Sequence, residues 1–187
     1  MILPRRFYER ETAEVARDLL GKVLVHREGA GLVTAGIIVE TEAYPGGDDL
    51  ASHSAAGITN RTRVIFGPPG HAYVYLSYGM HECMNIVAEP DGKAGCVLIR
   101  ALEPVAGIEI MRSRRPRART DRDLANGPGK LTQALGIDRS AYGADLTRGT
   151  LTVRTAETEV PFKVEVTPRI GLTKCADLPL RFVLRRS

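Results

Sequence analysis

Lys22-Val23-Leu24-Val25-His26-Arg27 and, beyond Gly29-Ala30-Gly31, Leu32-Val33-Thr34-Ala35-Gly36-Ile37-Ile38-Val39-Glu40-Thr41-Glu42-Ala43-Tyr44 are the two stretches whose pairing decides the fold. Both are rich in strand-forming residues, and the glycine-bearing break between them predicts a hairpin. A second pair of runs, His71 to Tyr78 and Cys83 to Ala88, meets through Gly79, which permits a positive φ. Gly67-Pro68-Pro69-Gly70 breaks the chain ahead of that pair. Further strands are predicted at Gly95 to Leu102, Leu151 to Thr155, Lys163 to Thr167 and Leu180 to Leu184. Helices are fewer. Ala13 to Leu20 has Thr12 as its N-cap, Glu14 in its first turn, Gly21 as its stop, and Val15, Ala16, Leu19 and Leu20 on its inner side. Val105 to Arg115 and Lys130 to Gly136 read as two more, and Asp48 to Ala56 as a short helix or ordered loop. With no internal repeat and no low-complexity linker, residues 1–187 read as one α+β domain with a mostly antiparallel sheet.

A chain of 187 residues buries enough surface to fold without a metal or a disulfide. Its 43% hydrophobic and 26% charged residues exclude a disordered, collagen-like or coiled-coil protein. The 26 basic residues exceed the 22 acidic ones by four, and only five are lysines. Guanidinium groups fork onto phosphate and carboxylate, so this balance leans toward an anionic partner. Cys83, Cys96 and Cys175 are odd in number and widely spaced, which points to a reducing compartment. The N-terminal Met1-Ile2-Leu3-Pro4-Arg5-Arg6 reaches charge before a signal-like stretch develops. The best apolar run, Ala35 to Val39, is far too short to span a bilayer. A soluble, cytoplasmic protein with no membrane partner is expected.

Side chains alternate along a strand, so Ile38, Glu40, Glu42 and Tyr44 are expected on one face. Taken alone, two carboxylates near a strand end read as a solvated face. They do not suit a paired-carboxylate glycosidase, because residues two apart on one strand are poorly placed to flank a scissile bond. Arg100, inside the apolar run Cys96 to Leu102, needs an acidic partner such as Glu82, Glu103 or Glu42. Asn85, between Met84 and Ile86, needs backbone, water or ligand to satisfy its amide. Tyr73, Tyr75 and Tyr78 crowd one hairpin. Cross-strand packing accounts for tyrosines within it, but a ring beside the turn suggests insertion into something, a base stack among the candidates. Arg112 to Arg122 carries six arginines in eleven residues and reads as a solvated loop. Gly129-Lys130 lacks the hydroxyl residue and the first glycine of a phosphate-binding loop. His71, His81 and Cys83 have no evident fourth ligand, so neither a metal nor a cofactor is expected.

In chain order, Val39-Glu40-Thr41-Glu42-Ala43-Tyr44, His53-Ser54, Gly70-His71-Ala72-Tyr73-Val74-Tyr75 and Tyr78-Gly79-Met80 are followed by Cys83-Met84-Asn85-Ile86. Then come Val97-Leu98-Ile99-Arg100-Ala101-Leu102-Glu103-Pro104, Gly127-Pro128-Gly129-Lys130-Leu131 with Gln133-Ala134-Leu135, and Pro179-Leu180-Arg181-Phe182. Together they resemble the alkyladenine (3-methyladenine, or methylpurine) DNA glycosylase family, from about Thr12 to Arg185. The resemblance implies a curved antiparallel sheet of the formyltransferase C-terminal-domain type, with flanking helices and a protruding β-hairpin that inserts into DNA. It implies that Glu42 is the general base for a water and that Arg100 helps hold the water and orient the carboxylate. Tyr44, His53 and Tyr75 would wall a pocket for a flipped-out base, with Asn85 where a purine 2-amino group projects. Tyr78, with Met80 beside it, would fill the gap left in the stack. The partner implied is damaged double-stranded DNA. A monomeric enzyme would hydrolyse the N-glycosidic bond of an alkylated, deaminated or etheno purine, leaving an abasic site. Thr59-Asn60-Arg61-Thr62-Arg63 departs from the family's Thr-Pro-Arg-Asn pattern, and Ile65 stands where methionine is common.

Two rival readings are weaker. A helix–hairpin–helix glycosylase, prompted by Gly127-Pro128-Gly129-Lys130, lacks its catalytic lysine and aspartate context, and no lysine lies in the pocket motifs to form an imine. A non-catalytic module stacking bases on Tyr75 and Tyr78 has no use for Glu42, since a carboxylate repels phosphate.

Overall fold

Among the described residues, the apolar runs pair into eight strands: β1 (Val23–Arg27), β2 (Val33–Pro45), β3 (Ala72–Ser77), β4 (His81–Val87), β5 (Gly95–Ala106), β6 (Leu151–Arg154), β7 (Phe162–Thr167) and β8 (Arg181–Arg186). A computed structural model describes residues 1–158 and 161–186. The strand pairs are antiparallel, in the order β3-β4-β5-β2-β1-β6, with β8 bridging β2 to β7. Among the described residues, five short α-helices accompany them: α1 (Arg5–Tyr8), α2 (Thr12–Asp18), α3 (Ile108–Arg114), α4 (Asp121–Leu124) and α5 (Pro128–Leu135). The class is α+β, with an open antiparallel sheet. Among the described residues, no helix is long and apolar enough to cross a membrane.

The two faces of the sheet have different tasks. On one, Val15 and Ala16 of α2 with Leu19 just after it, Met111 of α3, Leu124 of α4, and Leu131 and Leu135 of α5 pack on Val74, Met84, Ile86, Val97 and Ile99. This is the main core, its apolar area removed from water by short helices laid on a pleated surface. The other face carries a smaller cluster of Ile65, Tyr73, Val87 and Cys96, with Tyr44, Tyr75 and Tyr142 at its margin.

Strand β2 explains how polar groups reach that second face. Its first half pairs with β1 and its second half with β8, while β5 runs along it throughout. Where the partner changes, Ile38 faces Leu102 and Thr41 faces Ile99, so each strand holds one extra residue between these pairs. Such bulges re-aim the side chains that follow. Ile38 therefore joins the main core, and Thr41 on the same side donates its hydroxyl to Ala16 O at 2.8 Å, whereas Glu40 and Glu42 turn to the other face. The expectation that Ile38 shares a face with the two glutamates is corrected by this irregularity, which strict alternation does not register.

Three other expectations shift. Thr12 is the first residue of α2, not its cap, which is Glu11. The N–H and hydroxyl of Thr12 both donate to Glu89 Oε1 at 2.8 Å, so a carboxylate from after β4 satisfies the helix start from a distance. Val105 belongs to β5, and α3 begins only after Gly107 in its left-handed conformation. The arginine run is not simply a solvated loop: Arg112 bridges Glu109 and Asp121, Arg114 pairs with Glu28 at 2.6 Å, and Arg115 donates to Gln133.

The Glu89 anchor depends on a glycine at the start of β5. A Cβ on Gly95 would lie 2.3 Å from Thr12 Oγ1 and 2.6 Å from Glu89 Cγ. Gly95→Ala is expected to destabilise the fold by about 1–3 kcal/mol, the cost of overpacking a tight contact. Urea unfolding checks this, and an unchanged midpoint would mean the anchor yields freely.

Candidate active site

Glu42 is fully buried on the second half of β2, so its carboxylate depends on protein donors. Oε1 accepts the Ile170 N–H at 2.8 Å. Oε2 accepts the Tyr44 hydroxyl at 2.9 Å and Nη1 of Arg100 at 3.3 Å. All three partners donate, which suits the ionised form. Arg100 also donates Nε to Glu40 Oε1 at 2.9 Å, and Arg181 Nε reaches that oxygen at 2.7 Å. The solvated-face reading of Glu40 and Glu42 is thereby overturned. Of the acids considered for Arg100, Glu42 is the one it meets, while Glu82 pairs with Arg139 and Glu103 with Arg186.

Charge is distributed asymmetrically around this carboxylate. Burial, followed by the charge and hydrogen bond of Glu42, pushes the Tyr44 hydroxyl well above its ordinary value, so it stays protonated and donates. Burial works against the Arg100 charge, but Glu42 and Glu40 outweigh it and hold the guanidinium more firmly protonated. Burial also lifts the Cys83 thiol and pushes Cys96 up to about 12, which leaves both as neutral thiols rather than nucleophiles.

Beside the carboxylate lies an aromatic cluster. Tyr73 and Tyr75 stand on one face of β3, two residues apart, with ring centroids 5.3 Å from each other. His53 sits on a short turn, residues 53–56, whose start is capped by the Ser52 side chain accepting from Ser54 N. Its Nδ1 is 2.9 Å from the Tyr73 hydroxyl, and its ring meets Tyr75 edge-on at 4.6 Å. A ring stacked between two others needs about 7 Å, twice the ordinary carbon contact distance. No aromatic ring fits between His53 and Tyr75 at this spacing. Arg61 covers Tyr75, its guanidinium 4.9 Å from the ring centre, and donates Nε to the Tyr73 hydroxyl at 3.2 Å. Burial, and then the Arg61 charge, lower the His53 pKa from 6.5, so the ring is neutral at pH 7. Asn85 is buried on β4. It donates to Tyr73 O at 3.1 Å, and its Oδ1 faces the Cys96 thiol, so the amide asked for by the sequence is met mainly by backbone.

Tyr78 and Met80 lie apart from this cluster, at the β3–β4 turn. Tyr78 and Gly79 both take positive φ, +49° and +69°, and Met80 N donates to Ser77 O at 3.0 Å. A bulky residue in the left-handed region is uncommon, and this one is 91% exposed. Met80, 72% exposed, stands beside it. The strain and the exposure occur together, an arrangement that recurs at functional positions. Among the described residues, no group of three or more His, Cys, Asp or Glu side chains is placed to hold a metal ion.

Sequence reading missed four contributors: Asp49, Arg61, Arg169 and the backbone of Ile170. Arg169 is enclosed between Asp49 and the Tyr44 ring, 4.6 Å from the ring centre. Its only sequence signal is an arginine beside isoleucine in a connection of mixed polar and apolar residues.

The family model for methylpurine-DNA glycosylase (MPG) matches residues 6–187. A relative from Methanoculleus marisnigri, provisionally named a 3-methyladenine DNA glycosylase, is 53% identical over 192 aligned positions covering 100% of this chain and 97% of its own. Proteins given the same name in Koribacter versatilis and Carboxydothermus hydrogenoformans are each 50% identical, covering 99% and 100% of this chain and 90% and 97% of theirs. A family match over nearly the whole length, together with relatives at least half identical across it, means that the chain belongs to the methylpurine-DNA glycosylase family.

Proposed function

We propose that this chain is a monofunctional, monomeric base-excision glycosylase, a single domain over residues 1–187. It extrudes a damaged purine from double-stranded DNA and hydrolyses its N-glycosidic bond with a water activated by Glu42. The observation that carries the reading is Glu42 itself: a carboxylate without solvent exposure, oriented by three donors, on the same sheet face as an aromatic cluster. A structural role alone gives little reason to bury it. Formyltransferase-like curvature of the sheet belongs to the same reading.

The steps follow from the residues. A purine inside a duplex presents its sugar carbon to no nucleophile until it is extruded, which costs a few kcal/mol. Tyr78 and Met80 enter the duplex and fill the gap. Arg61 leaves the face of Tyr75 and His53 separates from it, so that the base stacks among Tyr44, His53 and Tyr75. A neutral His53 and protonated tyrosines offer uncharged, electron-rich walls, which favour a purine made cationic by N3 or N7 alkylation. Asn85, its amide fixed by the β3 backbone, meets the position of a 2-amino group and disfavours normal guanine. Arg100 holds the water against Glu42, whose negative charge faces the oxocarbenium-like sugar as the glycosidic bond breaks; Glu42 then takes the water's proton as the hydroxide adds to the sugar carbon. The alkylated purine leaves as a neutral base, and an abasic site remains. 3-Methyladenine, the base in the relatives' names, is such an alkylated purine; deaminated and etheno purines, which carry no alkylation charge, extend the proposed range through stacking alone.

Base release from a duplex carrying one alkylated adenine or one hypoxanthine tests the chemistry. Glu42→Gln is expected to slow release by about 10²- to 10⁴-fold, the usual contribution of a general base. Equal rates for native protein and variant would sink the mechanism. Duplex binding by both without release from either would favour the non-catalytic module.

A second prediction separates wedge from scaffold. An L-residue in the left-handed region costs roughly 1–2 kcal/mol, so Tyr78→Gly should leave the melting temperature unchanged or raise it. The same variant should bind damaged duplex more weakly and extrude the base more slowly. Unaltered binding and extrusion would remove the wedge assignment.

A further inference from the structure

We infer that Arg169 is a positioning residue for Glu42, acting through the backbone of its neighbour Ile170 and through the ring of Tyr44. The inference rests on the reading of Glu42 as the general base.

Arg169 lies in the connection between β7 and β8, outside regular structure, where no strand ladder fixes the backbone. Its side chain is nevertheless 0% exposed, and that of its partner Asp49 is 3% exposed. The guanidinium holds Asp49 bidentately at 2.6 and 2.9 Å and also donates to Ala43 O at 3.0 Å and Cys175 O at 3.3 Å. It thus joins the end of β2, the loop that follows it, and the far side of its own loop. A planar fork of this kind fixes direction as well as distance.

Two consequences reach the carboxylate. The next residue, Ile170, donates its N–H to Glu42 Oε1 at 2.8 Å. Ile170 as a whole is 49% exposed, so close packing around it does not hold the N–H in place. The Arg169 clamp one residue earlier supplies the missing constraint. At the base of the loop, Arg181 bonds Thr167 and Leu180 O accepts from Ala43 N; these ties close the loop without aiming Ile170. Arg169 also lies over the Tyr44 ring, whose hydroxyl donates to the other oxygen, Oε2. One buried cation therefore steadies a donor to each oxygen of Glu42 while touching neither.

Single-turnover base release with enzyme in excess, measured beside equilibrium affinity for the same duplex, tests this. Arg169→Met and Asp49→Asn are expected to slow release by about tenfold or more while affinity stays within about threefold, because the interaction acts on the chemical step. Arg169→Lys, which keeps the charge but not the fork, should fall between native and Arg169→Met. In a Glu42→Gln background, Arg169→Met should cause no further loss, since a residue acting through Glu42 has nothing left to orient. Arg114→Met, which breaks the Arg114–Glu28 pair, serves as the destabilised control, and all rates are taken below the melting transition of each variant. If Arg169→Met does not fold, Arg169→Lys and Asp49→Asn decide the matter. A loss no larger than that of the control, or an equal further loss in the Glu42→Gln background, would overturn the proposal. A Glu42→Gln protein as active as the native one would instead remove the general base, and this inference with it.

Discussion

A carboxylate without water around it must find its hydrogen bonds in the protein, and the sheet near Glu42 is organised by that demand. An unmet buried charge costs several kcal/mol, which is comparable with the whole stability of a small domain. Each donor comes from a different part of the chain: Tyr44 from the same strand, Arg100 from β5, and the Ile170 N–H from the connection into β8. Strand alternation places Tyr44 beside Glu42, but neither Arg100 nor Ile170 is placed by local sequence alone. They converge because β2 has β5 along one edge and β8 along the other at this point.

The bulge pair in β2 and β5 makes that convergence compatible with an apolar core. Without the extra residues, regular alternation would carry Glu40 and Glu42 on the side that Ile38 gives to the helices. With them, Ile38, Thr41 and Ala43 keep to the helix-covered side while the acids and Arg100 turn away from it. The irregular stretch falls where β2 changes neighbour from β1 to β8, the position at which a sheet can absorb a break in its ladder.

How far the sequence carries the reader depends on whether a feature is periodic or assembled. The strands follow from runs of β-branched residues, and β2 differs by one residue at each end from its expected span. Glu42, Arg100, Tyr44 and Tyr75 stand out as polar or aromatic residues inside such runs, and the family resemblance adds His53 and Asn85. Their roles are assigned by that resemblance, since spacing alone left the glutamate face reading as solvated. Asp49 and Arg169 were not legible, because an ion pair across 120 residues is chosen by the folded chain and leaves no local pattern. Thr12 was misread for a similar reason: an N-cap signature is local, but the carboxylate that satisfies this helix start is Glu89, 77 residues away.

The charge balance of the site bears on the arginine surplus of the whole chain. Glu40, Glu42 and Asp49 are each paired with arginine, and the arginines that meet them are Arg100, Arg181 and Arg169. Three acids and three bases cancel, so the carboxylate cluster, as distinct from Arg61 over the neighbouring Tyr75 ring, contributes nothing to the net charge of +4. The proposed reaction needs that separation. A cationic base and a positively charged sugar call for a site without excess positive charge, whereas phosphates call for positive charge around it. Pairing every arginine at the carboxylate cluster, and leaving the surplus to the rest of the molecule, lets one arginine-rich chain meet both demands.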